Sequence, residues 1–295
     1  MNRKSRAVVM LAVSLFLGGA DRTEAQSGTL RNISSRAQVN TSDNLDEILI
    51  AGLIVQGPPG ATKKVLIRAI GPSLTGHGVA GALADTVLAV FSGPNSIASN
   101  DNWRDSQEAE ILATQIPPAN DLESAVVLDL LPGDYTAWVY GTVDTLPFPG
   151  DPRGRGVALV EVYDLEPDSS VRLANLSTRA PVRTGENVLI GGFIVGDGSV
   201  NVLVRAIGPS LGTGGAPGPL QDPTLGMYDA DGNLIGVNDD WQEDQRAAIK
   251  ETGIPPTDPR ESAILKTLTP GNYTAILRGK NDSIGRALVE IYMIE

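Results

Sequence analysis

Val65-Leu66-Ile67-Arg68-Ala69-Ile70-Gly71-Pro72-Ser73-Leu74 returns at residues 202–211 as Val202-Leu203-Val204-Arg205-Ala206-Ile207-Gly208-Pro209-Ser210-Leu211, nine identities in ten. Working outward, further matches keep the same order. Asn100-Asp101-Asn102-Trp103 answers to Asn238-Asp239-Asp240-Trp241, Glu123-Ser124-Ala125 to Glu261-Ser262-Ala263, Pro132-Gly133-Asp134-Tyr135-Thr136 to Pro270-Gly271-Asn272-Tyr273-Thr274, and Leu159-Val160-Glu161-Val162-Tyr163 to Leu288-Val289-Glu290-Ile291-Tyr292. A period of well over a hundred residues marks a tandem domain, because solenoid repeats recur every roughly 20–50 residues. The chain divides into residues 26–166 (copy one), a polar linker over residues 167–172 and residues 173–295 (copy two), after an N-terminal segment of residues 1–25.

That segment has the layout of a secretory signal peptide: a basic start through Arg6, an uncharged apolar run from Ala7 to Ala20, and Thr23-Glu24-Ala25 before Gln26. The run falls short of the roughly 20 residues that a spanning helix needs. The expected location is outside the cell, in the periplasm or on the cell surface, with no membrane span in the mature chain. Removal of four basic and two acidic residues leaves 19 basic against 33 acidic, a net charge of −14. Such a charge opposes nucleic acid and anionic lipid, whose binding needs Lys and Arg to displace counterions. An exported chain without cysteine has no disulfides and must hold itself by its cores or by bound metal.

Short runs rich in β-branched residues, bounded by Gly, Pro or Asn, predict strands over 48–55, 63–70, 86–91, 124–131, 135–140 and 157–163 in copy one. In copy two the corresponding runs cover 188–195, 200–207, 224–228, 262–268, 273–277 and 286–292. The fold expected is all-β: two tandem jelly-roll-like antiparallel β-sandwiches, each with one short helix. Asp229 to Asn233 predicts a hairpin turn between residues 225–228 and 234–237, and Pro132-Gly133 and Pro270-Gly271 predict a second hairpin in each copy. The helix is expected from Asp105 as cap, Glu108 three positions on, and apolar Ala109, Leu112 and Ala113. Residues 242–252 match it, with Gly253 and Pro255-Pro256 as the stop.

Groups for catalysis are sparse. The one histidine, His77, lies in a glycine-rich loop, and no nucleophile elbow, His/Cys zinc cluster or phosphate-binding loop occurs. Asp229, Asp231, Asn233, Asn238, Asp239 and Asp240 offer several oxygen donors close together, which makes calcium the candidate ion. The same residues also suit Asx turns. Trp103 and Trp241 follow the Asx clusters and are candidate sugar-stacking platforms, or else pins that hold the helical loop to the sandwich. Arg68 and Arg205, inside apolar strands, call for partners among Glu161 and Glu290, with Glu123 and Glu261 as competitors.

Taken together, these motifs resemble a repeat domain of secreted bacterial proteins. More distantly, Asp222-Pro223-Thr224-Leu225, Asp229 to Asn233, Asn238-Asp239-Asp240 and Pro270-Gly271-Asn272-Tyr273 resemble the bacterial pre-peptidase C-terminal domain. That resemblance implies a non-catalytic jelly-roll-like module, calcium-dependent in some members, that serves substrate or surface attachment. Copy one departs from it at Ser92 to Ser96, which has no acid. The function expected is extracellular binding or surface attachment without catalysis, with a polysaccharide or other cell-surface component as partner. The alternatives are a calcium-stabilised structural module and a carboxylate-dependent hydrolase.

Overall fold

A computed structural model describes residues 29–39, 47–141, 154–167 and 169–294. The expected signal segment lies outside them, as does most of the Pro/Gly-rich insertion of residues 142–155. Copy one contributes β1 (Leu30–Val39), β2 (Leu49–Gln56), β3 (Lys63–Ile70), β4 (Thr86–Ser92), β5 (Asn95–Asn100), β6 (Ser124–Leu130), β7 (Gly133–Gly141) and β8 (Gly156–Asp164). Copy two contributes β9 (Arg172–Val182), β10 (Leu189–Val195), β11 (Val200–Ile207), β12 (Pro223–Tyr228), β13 (Leu234–Asn238), β14 (Ser262–Leu268), β15 (Gly271–Gly279) and β16 (Gly285–Ile294). The helices are α1 (Glu108–Ala113), α2 (Pro209–Thr213) and α3 (Arg246–Glu251), with short 3-10 turns at Pro72–His77 and Lys280–Asp282.

Within copy one the strands pair in the orders β1-β8-β3-β6 and β2-β7-β4-β5, and copy two repeats this as β9-β16-β11-β14 and β10-β15-β12-β13. Both are the jelly-roll order, two four-stranded sheets built from interlocked Greek keys. The fold is all-β, and its named strands pair antiparallel. β1 then pairs with β10, and β9 with β2. The two copies therefore share two continuous eight-stranded sheets, each half from one copy. Exchanging β1–β8 for β9–β16 turns one sheet order into the reverse of the other, so the copies meet about a pseudo-two-fold axis.

Strand chemistry follows burial. In β2, Leu49, Ala51, Leu53 and Val55 point into the core, while Ile50, Gly52 and Ile54 are half-exposed on the outer face. β3 and β8 are buried on both faces because helical loops cover their outer side. At the seam, Gly52 stands opposite Ser177 and Gly192 opposite Ser34. A Cβ on either glycine would lie 2.6 Å from the serine Oγ, so the serine side chain must turn away before a larger residue fits there.

Several expectations need correction. Pro132-Gly133 and Pro270-Gly271 are not hairpin turns, since β6 pairs with β3 and β7 with β2 and β4. The chain instead crosses from one sheet to the other. Proline and glycine mark a reversal, but whether its arms lie side by side or face each other is decided by long-range partners. Each crossing is braced by a tyrosine hydroxyl that donates back to the backbone, Tyr135 to the Leu131 carbonyl and Tyr273 to that of Thr269, both at 2.8 Å. Asp105 does not cap α1, which begins at Glu108 after Gln107. Strands β1 and β9 escaped prediction because Asn, Ser, Thr and Arg interrupt their apolar residues, yet they are central strands with Asn32, Ser35, Asn175 and Thr178 buried.

Candidate functional site

The duplicated Gly-Pro-Ser turn after β3 and β11 meets the duplicated Glu-Ser-Ala start of β6 and β14 at one end of each jelly roll, while the Pro-Gly crossings lie at the opposite end of β6 and β14. Arg68, buried on β3, donates from Nε to Glu161 Oε2 at 3.0 Å, from Nη2 to the same carboxylate and to the Tyr163 hydroxyl, and from Nη1 to the Ile116 carbonyl at 2.7 Å. Arg205 repeats the set with Glu290, Tyr292 and the Ile254 carbonyl. Burial, with the neighbouring glutamate second, pushes both tyrosine hydroxyls well above the ordinary phenol range. These are enclosed ion pairs with their remaining valences filled, which is the condition for a buried pair to persist.

Glu123 and Glu261 are not the arginines' bridging partners. The fully buried Glu123 carboxylate accepts the N–H groups of Gly71 (3.1 Å), Ser73 (3.0 Å) and Asn120 (3.1 Å) and the Ser73 hydroxyl. Glu261 does the same with Gly208, Ser210, Asp258 and the Ser210 hydroxyl. The carboxylate thus terminates the Gly-Pro-Ser turn, and its charge is neutralised by oriented donors.

Trp103 and Trp241 are 1% and 3% exposed. Trp103 packs with Leu66, Ile111, Ala125 and Val127, and Trp241 with Leu203, Ile249 and Ala263. Their indole N–H groups donate to the Asn120 and Asp258 carbonyls, both at 3.1 Å. Neither ring has a free face for a sugar, so both are pins under α1 and α3.

The structure does not gather the expected calcium ligands. Asp229 accepts the backbone N–H groups of Asp231 (3.0 Å) and Asn233 (2.9 Å) and the Asn233 side-chain amide (3.0 Å). These bonds, the Asn233 amide first, hold its carboxyl below the usual range. Asn238 is buried, bonded to Ala263 N–H and the Asp240 carbonyl, as Asn100 is to Ala125 and Asn102. Asp239 pairs with Lys280 at 2.6 Å. Among the described residues no group of three or more His, Asp or Glu side chains is placed to hold a metal. No helix there is long and apolar enough to cross a membrane.

Sequence reasoning missed two features. Gln107 and Gln245 present their amides to the free edges of β6 and β14, each donating to one backbone carbonyl and accepting one N–H, at Val127 and Leu265. An edge strand closed in this way cannot extend to another chain at that residue. The second feature is the outer face of the sheet containing β2, β7 and β4. Alternation along β7 places Thr136, Trp138 and Tyr140 there, all half-buried. Trp138 lies between Ala89 of β4 and Ile50 of β2. Its ring centroid is 4.6 Å from that of Phe91. In copy two the positions of Trp138 and Tyr140 hold Ile276 and Arg278, and Ile276 is buried. A tryptophan two residues from a tyrosine in a predicted strand was the available signal.

No protein-family model and no curated protein matches the chain. Among solved structures, the chain is similar to a DUF4785 family protein from Legionella pneumophila, with 8% identity over 96% of this chain and 70% of that one at a TM-score of 0.25. It is also similar to a chain of the Sulfolobus Turreted Icosahedral Virus, with 10% identity over 92% and 86% at a TM-score of 0.23. A third similarity is to PNGF-II, with 11% identity over 95% and 64% at a TM-score of 0.23. The fold assignment rests on the strand order of the chain itself.

Proposed function

We propose that the protein is a non-catalytic binding module of the cell exterior and that its ligand surface is the outer sheet face bearing Phe91, Trp138 and Tyr140, with carbohydrate as the ligand. One observation carries this reading. The motifs present in both copies are consumed by folding, whereas the half-exposed Trp138 is present in one copy only and serves no comparable internal contact. An indole and a phenol on a flat strand offer apolar faces to the C–H side of a pyranose, and their amphipathic rings suit a partly wet interface. Thr136 on the same face adds a hydroxyl for hydrogen bonding. The net charge of −14 favours a neutral partner over nucleic acid or an anionic membrane. Export supplies the setting in which a cell-surface polysaccharide is met.

The test is a glycan array probed with the intact protein, followed by titration of any glycan bound. Trp138→Ala is expected to weaken binding by about tenfold or more, as central aromatic contacts do, with the folded state retained. Binding that survives both Trp138→Ala and Tyr140→Ala would remove this face from the proposal.

A further inference from the structure

Strand β7 carries Thr136, Trp138 and Tyr140 in line on its outer face, all half-buried. Alternate residues of a strand stand about 6.4–6.8 Å apart, so the line extends for about 13 Å. Ladder pairing adds neighbours at each step. Phe91 of β4 lies opposite Thr136 and Ala89 opposite Trp138, and beyond them Ser96 and Ser99 of β5 lie opposite Phe91 and Ala89. Phe91 leans onto Trp138, with ring centroids 4.6 Å apart and ring planes at 39°. A stripe of rings therefore follows β7, the Phe91–Trp138 pair forming one step and Tyr140 the next. The exposed Ser96 and Ser99 border its β5 side.

Copy two shows that the jelly roll does not require this assembly. Its register sets Leu234 opposite Tyr228 and Val237 opposite Gly226, so the two serines give way to Leu234 and Val237, which are 55% and 65% exposed. Trp138 and Tyr140 give way to Ile276 and Arg278. Two of the three rings and both bordering hydroxyls thus occur together in one copy and are missing together from the other, as members of one surface are. In copy one these positions are all uncharged, which suits a ligand without charge.

The stripe is longer than one pyranose ring, and its direction is that of the strand. A glycan with equatorial linkages is an extended ribbon that keeps the apolar faces of successive rings near one plane and its hydroxyls at the margins, whereas an axially linked chain coils away from such a surface. Resting on the carbohydrate reading above, we propose that the ligand is the interior of an extended, uncharged polysaccharide lying along β7. Successive sugar rings cover the Phe91–Trp138 step and Tyr140, where aromatic faces meet their C–H sides, and sugar hydroxyls reach Ser96, Ser99 and Thr136 at the margins.

Calorimetric titration of the intact protein with cellobiose, cellotetraose and cellohexaose, and with maltohexaose as the coiled control, tests the assignment. Cellotetraose is expected to bind about tenfold more tightly than cellobiose, and cellohexaose about tenfold more tightly than maltohexaose. Tyr140→Arg should lower cellohexaose affinity by about fivefold or more while leaving cellobiose within about twofold, and Trp138→Ile should weaken both by about tenfold or more. Each substitution installs the residue copy two carries, so the melting temperature is expected to be retained. Trp138-dependent glycan binding that does not grow with chain length, that favours maltohexaose, that excludes the cello-oligosaccharides or that ignores Tyr140→Arg would overturn the extended-chain assignment and leave the carbohydrate reading standing. Absence of any Trp138-dependent binding, on the glycan array as well, would overturn both.

Discussion

The two copies share a strand order, an Arg-Glu-Tyr triad, a caged glutamate and a pinned tryptophan, yet they differ at one end of the core. Copy one buries Lys63 against Asp164, with the ammonium donating to both carboxylate oxygens and to the Glu166 carbonyl. Copy two has Val200 and Met293 at the same positions. The same jelly roll closes over an ion pair in one place and over hydrocarbon in the other, so the pair is not required for folding. Burial raises the Asp164 carboxyl above its usual range despite Lys63, which marks desolvation as the larger effect. What the copies share is architecture, and what separates them is where other roles belong.

The largest expected effect breaks that difference open. Lys63→Val alone should destabilise by about 3–5 kcal/mol by stranding a buried carboxylate, whereas Lys63→Val with Asp164→Met should be neutral or stabilising by up to about 4 kcal/mol. Urea denaturation decides, and a double variant as weak as the single would show that the pair contributes net stability.

Trp103→Ala and Trp241→Ala each remove an enclosed indole and should cost about 3–5 kcal/mol. The equivalence of the copies predicts similar values from equilibrium unfolding. A small loss at one of them would show that its helical loop is held by other contacts.

At the seam, Gly52→Ala places a methyl against Ser177 Oγ and should cost about 1–3 kcal/mol. Ser177→Ala should restore part of the loss, and a double-mutant cycle measures the coupling. Gly192 and Ser34 should behave alike, so unequal couplings would mean that the two seams are not equivalent.

The smallest effect concerns the Asp229 turn, which copy one lacks. Because its folded pKa is lowered, its contribution is full above the ordinary carboxylate range and fades as pH falls through the lowered value. The protection factor of the Asn233 amide, its exchange rate relative to the intrinsic rate at the same pH, should therefore fall on acidification and, with no gathered carboxylates, be insensitive to calcium. Protection that rises with calcium would restore the metal reading.

Much of the fold was legible in the residues. Strands β3, β11 and β14 begin and end where predicted, because most of their residues are apolar and turn residues bound them. The Arg68–Glu161 and Arg205–Glu290 pairings could be anticipated, since a charge inside an apolar strand must find its opposite. Glu123 and Glu261 were misjudged because backbone N–H groups, invisible as a motif, compete for a carboxylate as well as a guanidinium does. Trp103 and Trp241 stayed ambiguous because a tryptophan beside a polar turn looks the same whether its ring faces solvent or core.

By itself the sequence determined the duplication, the sheet-rich class and the local turns, all of which depend on neighbours along the chain and on the alternation of apolar residues. Only the tertiary structure decided that the copies fuse into shared sheets and that Pro-Gly reversals cross between layers. Those outcomes depend on competition among strand partners more than a hundred residues apart, and the backbone groups that settle it are the same in every residue.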